Sequence, residues 1–176
     1  MCPRRSRHGC GDPRVSTWIR AFGVSLSPTT FAAIEADPSL MHAVADGVAH
    51  NFDGAVPPFP DRAEWFLVHE RGEVVGCAGV QREHPRPGEA TLLTVAIAPE
   101  RRGRAAGTKA LLAAERKLLR DGASRMLTRV SRTNGHGLYF MLRCGYVPVP
   151  VEERPSDEPG WEDTTWFTRV PPAALR

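Results

Sequence analysis

The sequence has few of the features that mark secreted, membrane-spanning or metal-binding proteins. No apolar run approaches the roughly 20 residues that a helix needs to cross a bilayer. No apolar stretch follows the basic start MCPRRSRHGCGDPR, so secretion is not expected. The four cysteines show no CxxC spacing, and Cys2, His8 and Cys10 fit no zinc pattern, so no metal site is expected. These absences favour reduced thiols and a cytoplasmic protein with no membrane partner.

The net charge of +3 is unevenly distributed. Residues 1–20 carry five arginines and one aspartate, a surplus of +4, which leaves the rest of the chain at −1. Such a basic end is typically mobile and solvated, although it can also bind nucleic acid weakly. We therefore interpret residues 1–14 as a disordered basic tail and residues 15–176 as one domain, because a domain usually has about 100–200 residues. Binding of nucleic acid through this tail is the less favoured alternative.

Hydrophobic periodicity and turn signals predict a mixed α/β domain around one sheet. Ser27-Pro28 and Asp37-Pro38 are each predicted to start a helix, because a capping side chain precedes a proline suited to the first helical position. These helices are expected to end near residues 36 and 51. Two more helices are predicted over 105–120 and over 135–143, the latter capped by Asn134. Strands are predicted at 15–23, 64–69, 74–81, 89–98, 125–130, 146–149 and 164–170.

The helix predicted over 105–120 is amphipathic. Its apolar stripe consists of Leu111, Leu112, Leu118 and Leu119, whereas Lys109, Glu115, Arg116 and Lys117 lie elsewhere. Gly122 is a plausible cap for its C-terminal end. We therefore expect one leucine-rich face and charged residues on the others.

Residues 95–107, VAIAPERRGRAAG, carry the strongest functional signal. A hydrophobic strand ends at a proline, a loop with arginines and glycines follows, and a helix begins. The start of a helix presents N–H groups without intrahelical partners and the positive end of the helix dipole, which suits a phosphate or pyrophosphate. Small residues allow close approach and arginines add charge: Gly103, Ala105, Ala106 and Gly107 are small, and Arg101, Arg102 and Arg104 are basic. An ordinary tight turn with solvated arginines is the alternative.

This segment resembles the (Q/R)-x-x-G-x-(G/A) loop of the GNAT acetyltransferases, which also follows a strand and a proline. The six places are filled by Arg102, Gly103, Arg104, Ala105, Ala106 and Gly107. Arg102 and Gly107 match the motif, whereas Ala105 replaces its first glycine. Downstream, Asn134 stands at the asparagine of the family and Gly145-Tyr146 at its Gly-aromatic pair. The resemblance covers residues 64–170 and is strongest over 89–147.

The resemblance implies a GNAT-like acyl-CoA N-acyltransferase fold, with a central, mostly antiparallel sheet flanked by helices. It implies that acetyl-CoA is the cosubstrate and that a primary amine of a small molecule or protein attacks it directly. Main-chain groups of Val95 and Ile97 would bind the pantetheine arm, and the Ile97 N–H would stabilise the developing oxyanion. The loop from Arg102 to Gly107 would bind the pyrophosphate, and Asn134 would complete the cofactor site.

One position departs from the family. Met141 stands seven residues after Asn134, where the family has a tyrosine that protonates the leaving thiolate, and methionine cannot donate a proton. Tyr139 and Tyr146 are candidate donors instead, and Cys144 and bulk water are further alternatives. Met141 and Ala105 together favour the rival hypothesis, a coenzyme-A-binding protein with little catalysis that serves in sensing or interaction.

Acyl transfer requires a neutral amine, so a base must take a proton from it. Four candidates lie near strand ends, namely Glu83, His84, Glu89 and Asp163, and of these we choose Glu89. The acceptor, the acyl chain and the oligomeric state are not predicted, and a homodimer is one alternative.

Overall fold

The computed structural model describes residues 18–49, 61–155 and 163–169, and the predicted disordered tail over residues 1–14 lies outside these ranges. In the described ranges, eight strands form one sheet, namely β1 Ile19–Ala21, β2 Val24–Thr29, β3 Glu64–Glu70, β4 Glu73–Arg82, β5 Glu89–Ile97, β6 Arg125–Ser131, β7 Val147–Pro148 and β8 Thr164–Thr168. The helices are α1 Phe31–Glu35, α2 Pro38–Ala49, α3 Ala106–Arg120 and α4 Gly135–Arg143. None of these helices is long and apolar enough to span a membrane.

The strand order across the sheet is β1-β2-β3-β4-β5-β6-β8-β7. Neighbouring strands are antiparallel except β5 and β6, which are parallel. A parallel pair needs a crossover connection, and α3 lies in the connection between β5 and β6. The expected class, a mostly antiparallel mixed sheet flanked by helices, is therefore confirmed.

The sheet has two covered faces. On one, the α3 face, Leu92 belongs to the same buried cluster as Leu111 of α3. On the other, the α2 face, Cys77 and Ala96 cluster with Val44 of α2. Both layers bury apolar side chains, which supplies the main driving force for folding. Strand β5 therefore lies between two helical layers.

The prediction of a helix starting at Ser27 is wrong. The chain turns after β1, with φ of 54° at Phe22 and 81° at Gly23, and returns as β2, which includes Pro28. Proline has no N–H for a sheet ladder, but β1 pairs with β2 only as far as Leu26. Pro28 therefore lies where β2 has a single neighbour among the described residues, and proline is tolerated at such an edge.

The other predicted helix caps are confirmed. Asp37 Oδ1 accepts hydrogen bonds from the amides of Ser39 and Leu40, at 2.9 and 3.1 Å. Asn134 Oδ1 accepts from Gly137 N at 2.8 Å and caps α4. Since a capping side chain satisfies an amide that the helix itself leaves unpaired, both helices begin where the sequence predicts.

Candidate active site

The two parallel strands of the sheet pair along only part of their length. β5 and β6 are in register from Glu89 opposite Arg125 to Leu92 opposite Thr128. Beyond this point β5 continues to Ile97 with no further pairing to β6 in the described chain. We call the region between residues 93–97 of β5 and residues 129–131 of β6 the strand gap.

A bulge in β5 begins at the same level. Gly79 of β4 pairs with Thr94, whereas Val80 pairs with Leu92, so Leu93 is the extra residue. A bulge bends its strand and increases the local twist. The divergence of β5 from β6 therefore starts where the sheet geometry already changes.

The main chain of β5 beyond the bulge is directed into the strand gap at alternate residues. Ala98 N donates to Val75 O at 3.0 Å, and alternate residues of an antiparallel strand bond to the same neighbour. Ala96 and Ala98 therefore direct their polar groups towards β4, and Val95 and Ile97 direct theirs away from it. Arg102 Nε donates to Ile97 O from that side, at 2.9 Å.

The loop between β5 and α3 has the backbone geometry that suits an anion. Gly103 has φ of 80°, and Ala105 is left-handed, with φ of 61° and ψ of 13°. A left-handed residue followed by a helical one directs successive amides into one concavity. Within the described chain, the amide nitrogens of residues 103–108 have no acceptor, and the helix ladder begins with Lys109 N donating to Ala105 O at 2.9 Å. Six consecutive donors are therefore available to a ligand.

The charged side chains around this loop differ in the ion pairs that they form with other described residues. Arg101 forms an ion pair with Glu73 at 2.8 Å, and Lys109 forms one with Glu70 at 2.5 Å. The Lys109 ammonium beside Glu70 holds the pKa of that carboxyl below its usual value. Arg104 is exposed and has no side-chain hydrogen bond or ion pair with any residue that the structure describes. Arg104 is therefore the arginine best placed to meet a phosphate.

Helix α4 packs beside the first turn of α3. A Cβ atom at Gly107 would lie 3.7 Å from the Phe140 ring and 3.6 Å from Ile97 Cγ1. Cys144 Sγ lies 3.7 Å from Thr108 Oγ1, and burial raises the pKa of the Cys144 thiol. These are ordinary van der Waals distances, so the packing of α4 against α3 does not by itself require glycine at position 107.

The structure brings most of the predicted cofactor residues together. Val95, Ile97 and the loop from Arg102 to Gly107 follow one another at the end of β5. Asn134 N donates to Ser131 O at 3.0 Å, which places Asn134 just beyond the end of β6. Because β5 and β6 are parallel, their ends lie at the same edge of the sheet.

The predicted proton donors lie apart from one another. Tyr139 is 65% exposed on α4, whereas Tyr146 is buried and its hydroxyl donates to Glu115 Oε1 at 3.0 Å. Burial and the adjacent Glu115 carboxylate raise the pKa of Tyr146. Met141, at the position of the family tyrosine, is buried in the core. The Tyr146 hydroxyl is thus already hydrogen-bonded to a carboxylate.

The prediction that Glu115 lies away from the buried face of α3 is wrong. Glu115 is 1% exposed, and Arg169 donates to it through Nε at 3.1 Å and also through Nη2. A buried carboxylate is tolerated when charged and hydrogen-bonding partners satisfy it. Those partners, Tyr146 and Arg169, are 31 and 54 residues away in sequence, so no local pattern in α3 announces them.

Glu89, the base chosen from the sequence, lies at the start of β5 and is 8% exposed. Its Oε1 accepts from Arg125 Nε at 2.8 Å, and its Oε2 has no hydrogen-bond partner among the residues that the structure describes. Eight residues separate Glu89 from Ile97, about 26 Å along a strand. The structure therefore does not bring Glu89 to the loop between β5 and α3.

The other base candidates differ in their contacts. Glu83 Oε2 accepts from Gly88 N at 2.7 Å, and Asp163 is exposed. His84 Nδ1 lies 2.9 Å from Thr91 Oγ1 on β5. Sequence reasoning did not single out Thr91, because a threonine within a strand has no distinguishing pattern.

A parallel strand pair that separates beside a strand-loop-helix turn with unpaired amides is the arrangement of the acyl-CoA N-acyltransferase class of fold. The family model "Acetyltransferase (GNAT) family" matches residues 34–146. The chain therefore belongs to the GNAT family and is an acyltransferase. No curated protein matches the sequence.

Solved structures agree with this assignment. An acetyltransferase from Thermus thermophilus is 21% identical with a TM-score of 0.59, covering 86% of this chain and 99% of that one. A probable acetyltransferase (GNAT family) from Chromobacterium violaceum is 18% identical with a TM-score of 0.65, covering 97% and 96%. A Bacillus subtilis acetyltransferase in complex with CoA is 16% identical with a TM-score of 0.57, covering 83% and 96%. At such identities the likeness shows a shared fold.

Proposed function

We propose that this protein is an N-acetyltransferase that moves the acetyl group of acetyl-CoA to a primary amine of a small molecule or protein. One observation carries the proposal: the six amides of residues 103–108 lack acceptors within the described chain. They lie at the start of α3, directly after the strand that borders the gap. A diphosphate is the ligand that such a turn suits.

Each part of the cofactor has a matching part of the site. The amides from Gly103 to Gly107 and the Arg104 side chain would bind the pyrophosphate. Val95 and Ile97 would bind the pantetheine arm through main-chain groups, since both direct them away from β4. Asn134, beyond the end of β6, would border the same arm. Arg102 already donates to Ile97 O, so its role would be to position the strand end.

The chemistry requires little beyond positioning and one proton transfer. The amine nitrogen attacks the thioester carbonyl, a C–N bond forms and the C–S bond breaks. A thiol with a pKa of about 8.5 is a fair leaving group at neutral pH, so Met141 does not preclude turnover. Cys144, Tyr139 and water remain the proposed sources of a proton for the thiolate, and Tyr146 would first have to leave Glu115.

Calorimetric titration with acetyl-CoA tests the cofactor site. Arg104→Gln should weaken binding about 10-fold or more, because a hydrogen bond to a charged group contributes about 1.5–3 kcal/mol. Arg101→Gln is the matched control: it removes the same charge three residues earlier, from a side chain held by Glu73. Gly107→Asp should weaken binding strongly through charge repulsion. Equal affinities in all four proteins would remove the proposed phosphate site.

Turnover separates the proposed enzyme from a coenzyme-A-binding protein with little catalysis, which Met141 favours. The release of free thiol from acetyl-CoA should depend on added primary amine and should saturate with it. Binding of acetyl-CoA without any amine-dependent release would support the alternative.

A further inference from the structure

The turn between β3 and β4 carries two carboxylates that contact residues at both ends of the loop between β5 and α3. Arg71 and Gly72 form this turn, with φ of 54° and 87°, and positive φ at both central residues is typical of a two-residue hairpin. Glu70 pairs directly opposite Glu73 on the last rung of the hairpin. The two glutamate side chains therefore project from the tip of the hairpin on the same face.

Like charges directly opposite each other in a β ladder are destabilising, and here each charge has its own cation. Glu73 pairs with Arg101 at 2.8 Å, and Glu70 pairs with Lys109 at 2.5 Å. Arg101 ends a short helical turn just before the loop, and the Lys109 amide begins the α3 ladder. The two ion pairs therefore bracket residues 103–108, whose six amides have no acceptor within the described chain.

The two ion pairs differ in burial. The Glu73 side chain is 63% exposed, whereas the Glu70 side chain is 17% exposed. An exposed ion pair contributes little, and a partly buried pair is screened less by water and salt. The hydrogen bond from Lys109 holds the pKa of Glu70 below its usual value, so the folded protein favours the charged form of this carboxyl. The contact between Glu70 and Lys109 is therefore the stronger of the two.

Lys109 lies in the first turn of α3, where the helix dipole disfavours a cation. The Glu70 carboxylate offsets this charge and holds the ammonium at the end of β3. A lysine that is not held in this way could bind a phosphate directly as a point charge. Because Glu70 holds it, Lys109 instead ties the first turn of α3 to the hairpin.

Glu70 has two opposite effects on an anionic coenzyme. Arg104 is among the smaller contributors to the lowered pKa of Glu70, so the carboxylate lies near the proposed phosphate site and repels a phosphate there. Its contact with Lys109, however, fixes the turn that carries the loop amides. Preorganised donors bind more tightly, because less conformational entropy is lost when the ligand arrives.

We propose that Glu70 is a positioning residue for coenzyme binding, an inference that rests on the proposed function. Through Lys109 it holds the first turn of α3 in the orientation in which the loop amides converge on a diphosphate. This hold outweighs the repulsion between the carboxylate and the phosphates. A negative charge beside an anion site therefore strengthens the binding of the anion.

Calorimetric titration with acetyl-CoA tests the sign of the effect. Glu70→Gln should weaken binding about 5-fold, because a partly buried charged hydrogen bond is lost, whereas charge repulsion alone predicts tighter binding. Glu73→Gln removes the same charge from the directly opposite residue and should change the affinity less than about 2-fold, since its pair is exposed. Asp121→Asn breaks an ion pair with Lys117 at the other end of α3 and should leave the affinity unchanged.

Two further measurements separate positioning from direct contact and from a general loss of structure. Lys109→Met should weaken binding as much as Glu70→Gln, and the double variant should be no weaker than either, because the two residues act as a unit. S-acetylpantetheine lacks the diphosphate, so Glu70→Gln should keep its kcat/KM with this donor within about 2-fold of wild type. With acetyl-CoA, KM should rise while kcat stays the same.

The outcomes distinguish failure of the inference from failure of the proposed function. Unchanged or higher affinity for acetyl-CoA in Glu70→Gln or in Lys109→Met would overturn the positioning role and leave the proposed function standing. An equal loss of kcat/KM with both donors would do the same. Failure of the wild-type protein to bind acetyl-CoA would overturn the proposed function and the inference with it. A loss that is confined to acetyl-CoA and shared by both variants supports both.

Discussion

Replacing Ala105 with glycine should stabilise the protein, although the change deletes a methyl group. Ala105 is exposed and left-handed, with φ of 61°, a conformation that costs an L-residue about 1–2 kcal/mol. Glycine avoids this strain but loses about 0.5–1 kcal/mol more backbone entropy on folding. The net gain should be about 0.5–1 kcal/mol, which raises the Tm of a protein of this size by about 1–4 °C.

The neighbouring alanine supplies the control. Ala106 is buried and begins α3, so Ala106→Gly removes a buried methyl and lowers helix propensity, and should destabilise the protein by about 1–2 kcal/mol. Differential scanning calorimetry of both variants therefore should show shifts of opposite sign. A fall in Tm for Ala105→Gly as large as that for Ala106→Gly would refute the strain argument. The affinity for acetyl-CoA should persist in Ala105→Gly, because the amide remains.

Two further predictions concern the core. Tyr146→Phe removes a hydrogen bond to the buried Glu115 carboxylate and should lower the free energy of unfolding by about 1.5–3 kcal/mol in urea titrations; an unchanged midpoint would contradict this. Burial raises the pKa of the Cys77 thiol from 9.0 to about 12, so above pH 9 the unfolded chain loses a proton that the folded chain keeps. Stability should therefore fall by about 1.4 kcal/mol per pH unit from this group, and Cys77→Ala should show a correspondingly shallower fall between pH 9 and about 11.

Much of the fold could be predicted because its signals are local. Asn134 and Asp37 cap helices from within four residues of the amides that they satisfy, and Gly122 has the positive φ of 104° that a helix C-terminal end favours. The apolar and β-branched runs of β3 to β6 are likewise contiguous in the sequence. The bounds of β3 to β6 were accordingly predicted to within about one residue at each end.

Segment β2 was missed because its local chemistry favours another structure. Ser27-Pro28 reads as a helix start, yet the helix begins at Phe31 and Thr30 is its cap. What decides the outcome is pairing with β3, in which Leu67 lies opposite Ser27 from a distant part of the chain. A serine–proline pair is therefore compatible with a helix start and with an edge strand. Only knowledge of whether a second strand lies beside the proline nitrogen decides between them.

The candidate site also has one part that could be predicted from the sequence and one part that could not. The loop from Arg102 to Gly107 was found from the sequence because the motif is contiguous. The His84–Thr91 contact spans only seven residues, but it depends on the turn bringing a ring back onto the strand. The contacts of each candidate base depend on where its side chain is placed in three dimensions. The spacing of residues in the sequence does not predict these contacts.

The ionic cluster at Glu115 has a consequence for the far end of the chain. A polypeptide shortened after Thr168, by a premature stop codon or a protease, would keep all the strands described here and lose Arg169. Glu115, in the middle of the helix whose first turn belongs to the proposed phosphate site, would then retain Tyr146 as a partner without the opposite charge. Breaking a buried pair in this way costs about 3–5 kcal/mol. Under the proposed function, loss of Arg169 would therefore appear as weakened coenzyme binding, although none of the residues proposed to bind the coenzyme had changed.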